Sequence, residues 1–272
     1  MSYFSNNFFR SVRFILVASF FALIFFSQLA TAAQCEKRSS NDRASLVELY
    51  TSEGCSSCPP ADKWLSKMGN KQDIDSLFIP LSFHVDYWNY IGWIDPYSQS
   101  GFTSRQKDIA RRGRLSTIYT PQVVLNGKDY RAWRRQNTPV LVRAISENPP
   151  NADIHVKIAN KNSSRVQLAI TGKLRSTAKR SNVRMYVAVY ENNLSNSVSS
   201  GENRGRRLNH DYVVRQIKPY IMPSSQDKVS IKHTVKIEPD WKRDDLGVAV
   251  FVQHQRTGKV YQALSMPLIC NS

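Results

Sequence analysis

Two cysteines separated by two serines have the clearest chemistry in this sequence. Cys55 and Cys58 form a Cys-X-X-Cys motif that follows a strand-like run and opens a helix-like run. This spacing brings two sulfur atoms within bonding reach across one helical turn, and the amides at a helix N-terminus stabilise a thiolate. The motif predicts thiol–disulfide exchange, with Cys55 as an exposed nucleophile and Cys58 as the buried thiol that resolves a mixed disulfide.

The motif also occurs in sites that exchange no disulfide. It is half of a common zinc site, but the sequence has no second Cys-X-X-Cys and its five histidines are scattered. It can be a structural disulfide in a non-catalytic binding module, or it can hold copper(I) together with His84. Exchange without a bound cofactor is the preferred interpretation, and the structural and copper(I) alternatives stay open.

Further polar and aromatic side chains follow a buried strand. His84 and Asp86 end the run Leu77–Val85, whose carboxyl edge should share a rim with Cys55. The aromatic residues that come next are Tyr87, Trp88, Tyr90 and Trp93. Together they predict a substrate groove, or a base that tunes Cys55. Alternatively, the aromatic rings pack an inserted segment and His84 satisfies a backbone carbonyl.

The elements that position these residues change character along the chain. Strands, helices and an Asn126-Gly127 hairpin are predicted at 45–51, 59–68, 77–85, 104–112, 122–132 and 138–147. After turn formers at 148–151, seven strands are predicted at 154–159, 166–172, 183–190, 212–217, 229–237, 247–254 and 259–264. The second set predicts an antiparallel β-sandwich of immunoglobulin-like type. We expect two domains, at 34–148 and 151–272.

The first 33 residues have the pattern of a signal peptide. Arg10 and Arg13 precede a short apolar run at 14–26, and small residues follow at 30–33. The run is shorter than the ~20 residues that span a bilayer, so an uncleaved anchor is the less favoured alternative. We expect cleavage near Ala33 and a secreted or periplasmic protein. Its expected partners are the thiols or disulfides of exported proteins.

The strong positive charge bears on other partners. The chain has 38 Lys and Arg against 21 Asp and Glu, and residues 151–272 hold 20 of the basic residues but only 9 of the acidic ones. No nucleic-acid-binding motif accompanies this charge, and an exported protein does not meet nucleic acid, so none is expected. Weak contact with anionic surfaces in the cell envelope fits the charge better.

The two remaining cysteines lie near the ends of the chain. Cys35 follows the predicted cleavage site, Cys270 is third from the C-terminal end, and both have polar neighbours. Spare cysteines in an oxidising compartment are more often bridged than free. We expect a structural Cys35–Cys270 disulfide rather than two exposed thiols, with a stabilisation of at most about 5 kcal/mol.

The order of the elements in the first half is similar to the thioredoxin fold. In that superfamily a cis proline faces the Cys-X-X-Cys motif, and Thr120-Pro121 resembles this position. The backbone before such a proline is free to pair with an extended substrate chain. Thioredoxins often carry a buried acid on the strand before the motif, and Glu48 is the candidate for that role.

Longer segments resemble one bacterial family. They are residues 47–62, 84–88, 92–93, 95–96, 119–122, 201–205 and 208–215. They are similar to secreted thioredoxin-like proteins of domain-of-unknown-function family 1223, and the resemblance covers most of the mature chain. It implies a thioredoxin-like domain but no settled activity. The predicted fold class is therefore a thioredoxin-like α/β domain followed by an antiparallel, immunoglobulin-like β-sandwich.

Overall fold

The structure is a computed structural model that describes residues 35–69, 77–135, 149–162, 164–176 and 178–269. The strands in this part of the chain are β1 (Glu36–Arg38), β2 (Ser45–Thr51), β3 (Phe78–His84), β4 (Gln122–Leu125), β5 (Lys128–Asp129), β6 (Ala152–Lys161), β7 (Arg165–Leu174), β8 (Val183–Glu191), β9 (Leu194–Ser197), β10 (Arg207–His210), β11 (Val213–Met222), β12 (Lys228–Lys236), β13 (Leu246–His254) and β14 (Val260–Pro267). The α-helices are α1 (Pro59–Gly69) and α2 (Ser100–Gly113). Short 3₁₀ turns lie at Asn89–Ile91, Arg131–Arg134 and Arg243–Asp245.

The largest sheet draws its strands from both halves of the sequence. Its eight strands lie in the order β14-β13-β8-β11-β3-β2-β4-β5. Strand β3 pairs in parallel with β2 on one side and with β11 on the other, and all other neighbours are antiparallel. At the β3–β11 junction the Ser82 amide donates to the Tyr212 carbonyl at 2.8 Å. This junction joins the N-terminal strands to the C-terminal ones.

Two smaller sheets and the helices cover the large sheet. Helix α2 packs on one face through Phe102 and Ile109, and α1 packs against β2 through Ala61 and Leu65. The antiparallel sheet β1-β6-β7-β12 packs its apolar side chains against those of β8, β13 and β14. Strands β9 and β10 form a separate pair. Because apolar layers lie on both faces, β2, β3 and β13 are buried along their whole length.

The predicted fold class is wrong. The described residues form a mostly β protein with mixed and antiparallel sheets, and they form no thioredoxin-like α/β arrangement. The predicted sandwich strands exist, but β8, β11, β13 and β14 belong to the same sheet as β2 and β3. The local patterns predict most of the observed strands and both α-helices, although the predicted hairpin strand that runs to Ala132 ends at Asp129. The sheet order depends on contacts between distant segments that those patterns do not encode.

Individual elements agree with the sequence more closely. The predicted helices at 59–68 and 104–112 correspond to α1 and to most of α2, and each of the seven predicted strands after residue 151 overlaps an observed strand. The predicted helix at 138–147 and the predicted signal peptide lie outside the described residues. None of the helices that the structure describes is long and apolar enough to span a membrane.

Two hairpin turns from opposite ends of the large sheet's strand order touch each other. Gly127 lies in the β4–β5 turn with φ +83°, and Gly258 lies in the β13–β14 turn with φ +73°. A Cβ atom added to Gly127 would overlap the carbonyl group of Gly258. The Gln253 side-chain amide also donates to that carbonyl oxygen at 2.8 Å. Glycine is needed at 127 both for the left-handed backbone and for the close approach.

Replacement of Gly127 tests this contact. Gly127→Ala should lower the free energy of unfolding by about 2 kcal/mol or more, since the new methyl group meets backbone atoms and the positive φ disfavours a side chain. Urea unfolding measures the change. Gly101→Ala is the control, because Gly101 lies in α2 and a methyl group added there would have nothing within 4 Å. This change should be neutral or stabilising by about 0.5 kcal/mol.

Candidate functional site

Cys55 and Cys58 form a disulfide at the start of α1, with their Cα atoms 5.4 Å apart. The Cys58 amide donates to the Cys55 carbonyl oxygen at 3.2 Å, and the amides of Ala61 and Asp62 donate to the Cys58 carbonyl oxygen. The helix begins with Pro59, a position where the missing amide hydrogen removes no helical hydrogen bond. The Cys-X-X-Cys motif therefore stands at a helix N-terminus, as the sequence predicts.

The exposure of Cys55 differs from the prediction. Cys55 is only 1% exposed and Cys58 is fully buried, whereas Ser56 and Ser57 between them are exposed. The Ser57 hydroxyl lies 3.4 Å from the Cys55 sulfur. Cys55 is thus not an open nucleophile in this structure, because neighbouring segments lie against the turn that carries it.

Two segments, residues 88–93 and 201–203, form what we term the cover. A side chain at position 54 would be in tight contact with the cover, because a Cβ atom added to Gly54 would lie 3.1 Å from the Trp88 Cβ atom. The Glu202 carboxylate accepts a hydrogen bond from the Ser56 amide at 2.9 Å. The Asn203 side-chain amide donates to the carbonyl oxygens of Glu53 and Cys55 at 2.8 and 3.0 Å. The cover therefore binds the backbone on both sides of Cys55.

The carboxyl group of Glu53 is the centre of a buried polar network. It is fully buried and accepts hydrogen bonds from Trp93 Nε1 at 2.9 Å, Asn196 Nδ2 at 2.9 Å and His210 Nε2 at 3.0 Å. These donors come from the cover, from β9 and from β10. A buried carboxyl group with three donors is well satisfied, so Glu53 holds three separate segments beside the disulfide.

A second buried pair lies at the end of β3. His84 Nδ1 lies 2.7 Å from an Asp95 carboxylate oxygen, and both side chains are fully buried. Burial opposes ionisation of Asp95, but His84 and the amides of Glu53 and Tyr97 outweigh it, so the pKa of Asp95 is lowered. Burial likewise opposes charge on His84, but Asp95 outweighs it and the pKa of His84 is raised.

Asp62 lies one helical turn after Cys58 and is 6% exposed. One of its carboxylate oxygens accepts from the Thr51 hydroxyl at 3.2 Å, and the other lies 4.0 Å from His210 Nδ1. That second oxygen, His210 Nδ1 and His84 Nε2 are all buried without a hydrogen-bond partner in the described part of the chain. Burial raises the pKa of Asp62 in spite of the opposing effect of His210.

These groups form one cluster with the disulfide. The rings of His84 and His210 pack edge to face with centroids 4.9 Å apart. Residues four apart in a helix share a face, which places Asp62 on the same side of α1 as Cys58. The arrangement provides a carboxyl group with a spare oxygen among buried polar atoms, one helical turn after Cys58.

Glu48, the predicted buried acid, is paired with Arg105 of α2. One of its carboxylate oxygens accepts from Arg105 Nε at 2.7 Å and from the Tyr50 hydroxyl at 2.9 Å. The Arg105 guanidinium also lies between 5.0 and 5.7 Å from three aromatic ring centroids, those of Phe83, Tyr186 and Phe251. Glu48 therefore belongs to a structural ion pair under α2, and Asp62 is the buried acid beside Cys58.

Thr120 and Pro121 lie immediately before β4, and the peptide bond between them is cis. The Thr120 hydroxyl accepts a hydrogen bond from Trp88 Nε1 at 2.7 Å, which ties this turn to the cover. Thr120 and Pro121 also line a pocket of about 470 Å³ together with Ser57 and Trp133. The structure thus brings the predicted proline position and the exposed side of the Cys-X-X-Cys turn to one surface.

The other predicted site residues have separate roles. Asp86 is held by the Thr103 hydroxyl of α2. Tyr90 is 83% exposed and so lies outside the core. Cys35 is half buried and forms no disulfide with any described residue, while Cys270 lies outside the described residues, so the Cys35–Cys270 bridge stays a prediction.

Sequence reasoning missed most of the buried cluster. Asp62 could have been found, because it follows Cys58 by four residues in a predicted helix. Asp95 and His210 lie in segments that carry the family resemblance, but no local pattern indicates that they are buried together, and the basic run around His210 is typical of a solvated surface. The neighbouring Arg204, Arg206 and Arg207 are indeed exposed, whereas His210 is 3% exposed.

The fold and site together define a mostly β protein with a buried Cys-X-X-Cys disulfide beside a polar cluster. The chain belongs to the family described as "Protein of unknown function (DUF1223)", whose model matches residues 46–253. No curated protein matches it.

Two solved structures have a similar fold. Protein AGR_C_4864 from Agrobacterium tumefaciens is 24% identical, with a TM-score of 0.62 over 86% of this chain and 98% of that one. HBP35 of Porphyromonas gingivalis is 14% identical, with a TM-score of 0.62 over 84% of this chain and 76% of that one. At these identities the likeness concerns the fold alone.

The His84–Asp95 pair has a pH signature. Because the pKa of His84 is raised, its contribution to stability is complete below about pH 6.5 and is lost as the pH rises through the folded-state pKa. Because the pKa of Asp95 is lowered, its contribution is present above about pH 4 and is lost as the pH falls through the folded-state pKa. In Asp95→Asn the pKa of His84 should fall, and this pH dependence should weaken. NMR titration of the His84 ring and unfolding at several pH values measure both. An unchanged His84 titration would contradict the assignment.

The ion pair under α2 is expected to be structural. Arg105→Met leaves the buried Glu48 unpaired and should lower the free energy of unfolding by about 3–5 kcal/mol. Adding Glu48→Gln to that variant should recover part of the loss, because no unpaired charge remains. Arg111→Met, which removes a solvent-exposed arginine paired with Asp108, should change stability by no more than about 0.5 kcal/mol. Equal losses in the two single variants would argue against the pair.

Proposed function

We propose that the protein exchanges disulfides with thiols of other proteins through Cys55 and Cys58. The observation that carries this proposal is the buried Asp62, one turn from Cys58, with a free oxygen and a raised pKa. A purely structural disulfide needs no such acid, and a buried carboxyl oxygen without a hydrogen-bond partner costs stability. A group able to give a proton to the inner sulfur is what disulfide opening requires.

The exchange moves two electrons between the substrate and the Cys55–Cys58 pair. A thiolate of the substrate protein attacks the Cys55 sulfur, the Cys55–Cys58 bond breaks, and a mixed disulfide forms between substrate and Cys55. Cys58 leaves as a thiolate, and the Asp62 carboxyl group transfers a proton to it. A second substrate thiolate then attacks the substrate sulfur, which releases Cys55 and leaves the substrate with a disulfide. The substrate loses two electrons and the protein gains them, and the reverse sequence reduces a substrate disulfide.

Access to Cys55 requires the cover to move. The contacts of Glu202 and Asn203 hold the cover to the backbone around Cys55, and the Trp88–Thr120 hydrogen bond holds its other segment. Glu202 itself is exposed, so its contact with Ser56 is the one most easily given up. The pocket beside Ser57, Thr120 and Pro121 is the surface on which a substrate chain would lie.

A structural disulfide is the second candidate function, and the burial of both sulfurs favours it. In that case the protein is a binding module and the Cys55–Cys58 bond fixes the turn that Asn203 and Glu202 contact. No observation favours the copper(I) alternative: the described residues contain no group of three or more His, Cys, Asp or Glu side chains arranged to hold a metal ion.

The reduction potential of the Cys55–Cys58 pair separates the two candidates. A value in the range of about −270 to −120 mV, typical of exchange proteins, supports exchange, whereas a value below about −300 mV supports a staple. The protein is equilibrated with glutathione buffers and alkylated, and mass spectrometry measures the fraction of molecules whose two thiols are reduced. We also propose that the setting is a secreted or periplasmic one, where such exchange acts on exported proteins.

Trapping of partners tests the chemistry directly. Cys58→Ala should accumulate mixed disulfides with other proteins through Cys55, because the resolving thiol is gone. Cys55→Ala should accumulate none, since the remaining Cys58 is fully buried. Non-reducing gels and mass spectrometry of cells producing each variant show the adducts. Equal amounts of adduct in the two variants, or none in either, would count against exchange.

Asp62 should act through the protonation of Cys58. In Asp62→Asn the rate of disulfide reduction by a small dithiol should fall about tenfold or more, and the pH dependence of the rate should lose the contribution of this carboxyl group. Stopped-flow kinetics from pH 5 to 9, corrected for the thiolate content of the reductant, measure the change. Asp108→Asn, on the exposed surface of α2, is the matched control. A rate unchanged in Asp62→Asn would remove the role assigned to this residue.

A further inference from the structure

A basic pocket lies away from the disulfide, where the β4–β5 and β13–β14 turns meet. Its volume is about 760 Å³, within the size range of small-molecule sites. Four cationic side chains from four separate segments line it, those of Arg43, Lys128, Lys179 and Lys259. No Asp or Glu is among its lining residues. The lining of the pocket therefore carries a concentrated positive charge and no acidic side chain.

Arg43 is the buried cation of this pocket. It is only 7% exposed, and its Nε atom is buried without a hydrogen-bond partner in the described part of the chain. No carboxylate there forms an ion pair with it, and burial lowers its pKa. A buried guanidinium normally has an acid or several acceptors, because desolvation of an unpaired charge is costly. Its five donors in a fixed fork are suited to an oxyanion.

The fold holds the lysines near Arg43. The contact between Gly127 and Gly258 places the next residues, Lys128 and Lys259, on two touching turns. The Tyr261 hydroxyl donates to the backbone carbonyl of Lys179 at 3.0 Å. Lys128, Lys179 and Lys259 are exposed at the rim. Like charges gathered in this way repel one another, and a bound anion offsets the repulsion.

The positive charge of this region also affects the pKa of His254, which is another lining residue. Burial lowers its pKa, and the positive charges of Lys179 and Arg256 lower it further. The wall of the pocket that His254 and Tyr261 form is thus an uncharged, aromatic one, next to a rim of cations. That combination suits a ligand with a strongly anionic group and a less polar remainder.

We propose that this pocket binds a small molecule through a phosphate group, as a phosphate ester or a diphosphate. A carboxylate brings one charge to four cations, whereas phosphate groups bring two or more charges and several acceptor oxygens in the geometry that an arginine fork and lysine ammonium groups bind. The ligand's phosphate lies against Arg43, with the lysines of the rim around it.

Titration calorimetry at low ionic strength with inorganic pyrophosphate tests the proposal. The wild-type protein should bind one equivalent saturably, and Arg43→Met should weaken binding about tenfold or more. Arg111→Gln removes the same charge from the exposed surface of α2 and should leave the affinity unchanged. Citrate, a polyanion without phosphate, should bind at least about tenfold more weakly than pyrophosphate.

A second variant distinguishes a loss of pyrophosphate binding from a folding defect in Arg43→Met. Lys128→Gln combined with Lys259→Gln changes only exposed side chains and should also weaken pyrophosphate binding about tenfold. The proposal is overturned if the wild-type protein shows no saturable binding of pyrophosphate, if citrate binds as tightly, or if Arg111→Gln weakens binding as much as the pocket variants do.

Discussion

The hydrogen bonds accepted by the Glu53 carboxyl group join the parts of the site. Glu53 precedes Cys55 by two residues, and its donors come from residues 93, 196 and 210, far apart in the sequence. A carboxyl group at this depth is tolerated only when its acceptor sites are filled. Because all three donors must be in place together, the cover, the β9–β10 pair and the disulfide turn form one unit.

That unit depends on the large sheet. Strands β9 and β10 lie in the chain between β8 and β11, and β11 pairs with the first half of the chain through β3, at Val213 and Ser82. His84 ends β3, so the strand that receives β11 also carries one member of the buried cluster. The same backbone junction thus unites the sheet and brings His210 to within ring contact of His84. The β3–β11 pairing is therefore needed both for the large sheet and for the buried cluster.

Sequence patterns located the elements but not their assembly. Prolines at the start of α1, the Asn126-Gly127 turn and period-two alternation each act over a few residues, and the corresponding elements are present. The alternation at 212–217 predicts a strand, and β11 covers Val213–Met222, yet nothing in its residues indicates that β3 is its neighbour. The site divides in the same way. The spacing of Cys55 and Cys58 indicates the disulfide, and the position of Pro121 was suggested by a resemblance. The pairing of Glu53 with His210 arises only when two distant segments fold together.

The β3–β11 pairing also affects the order in which the chain can fold. Strand β3 lies before residue 85, whereas β11 begins at Val213, so one edge of β3 has no partner until most of the chain has been synthesised. Pairings between such distant segments form late and slowly, because a long loop must close first. The residues that surround Cys55 from the second half, Glu202 and Asn203, arrive at the same late stage. The turn that carries Cys55 therefore becomes enclosed only when the large sheet is complete.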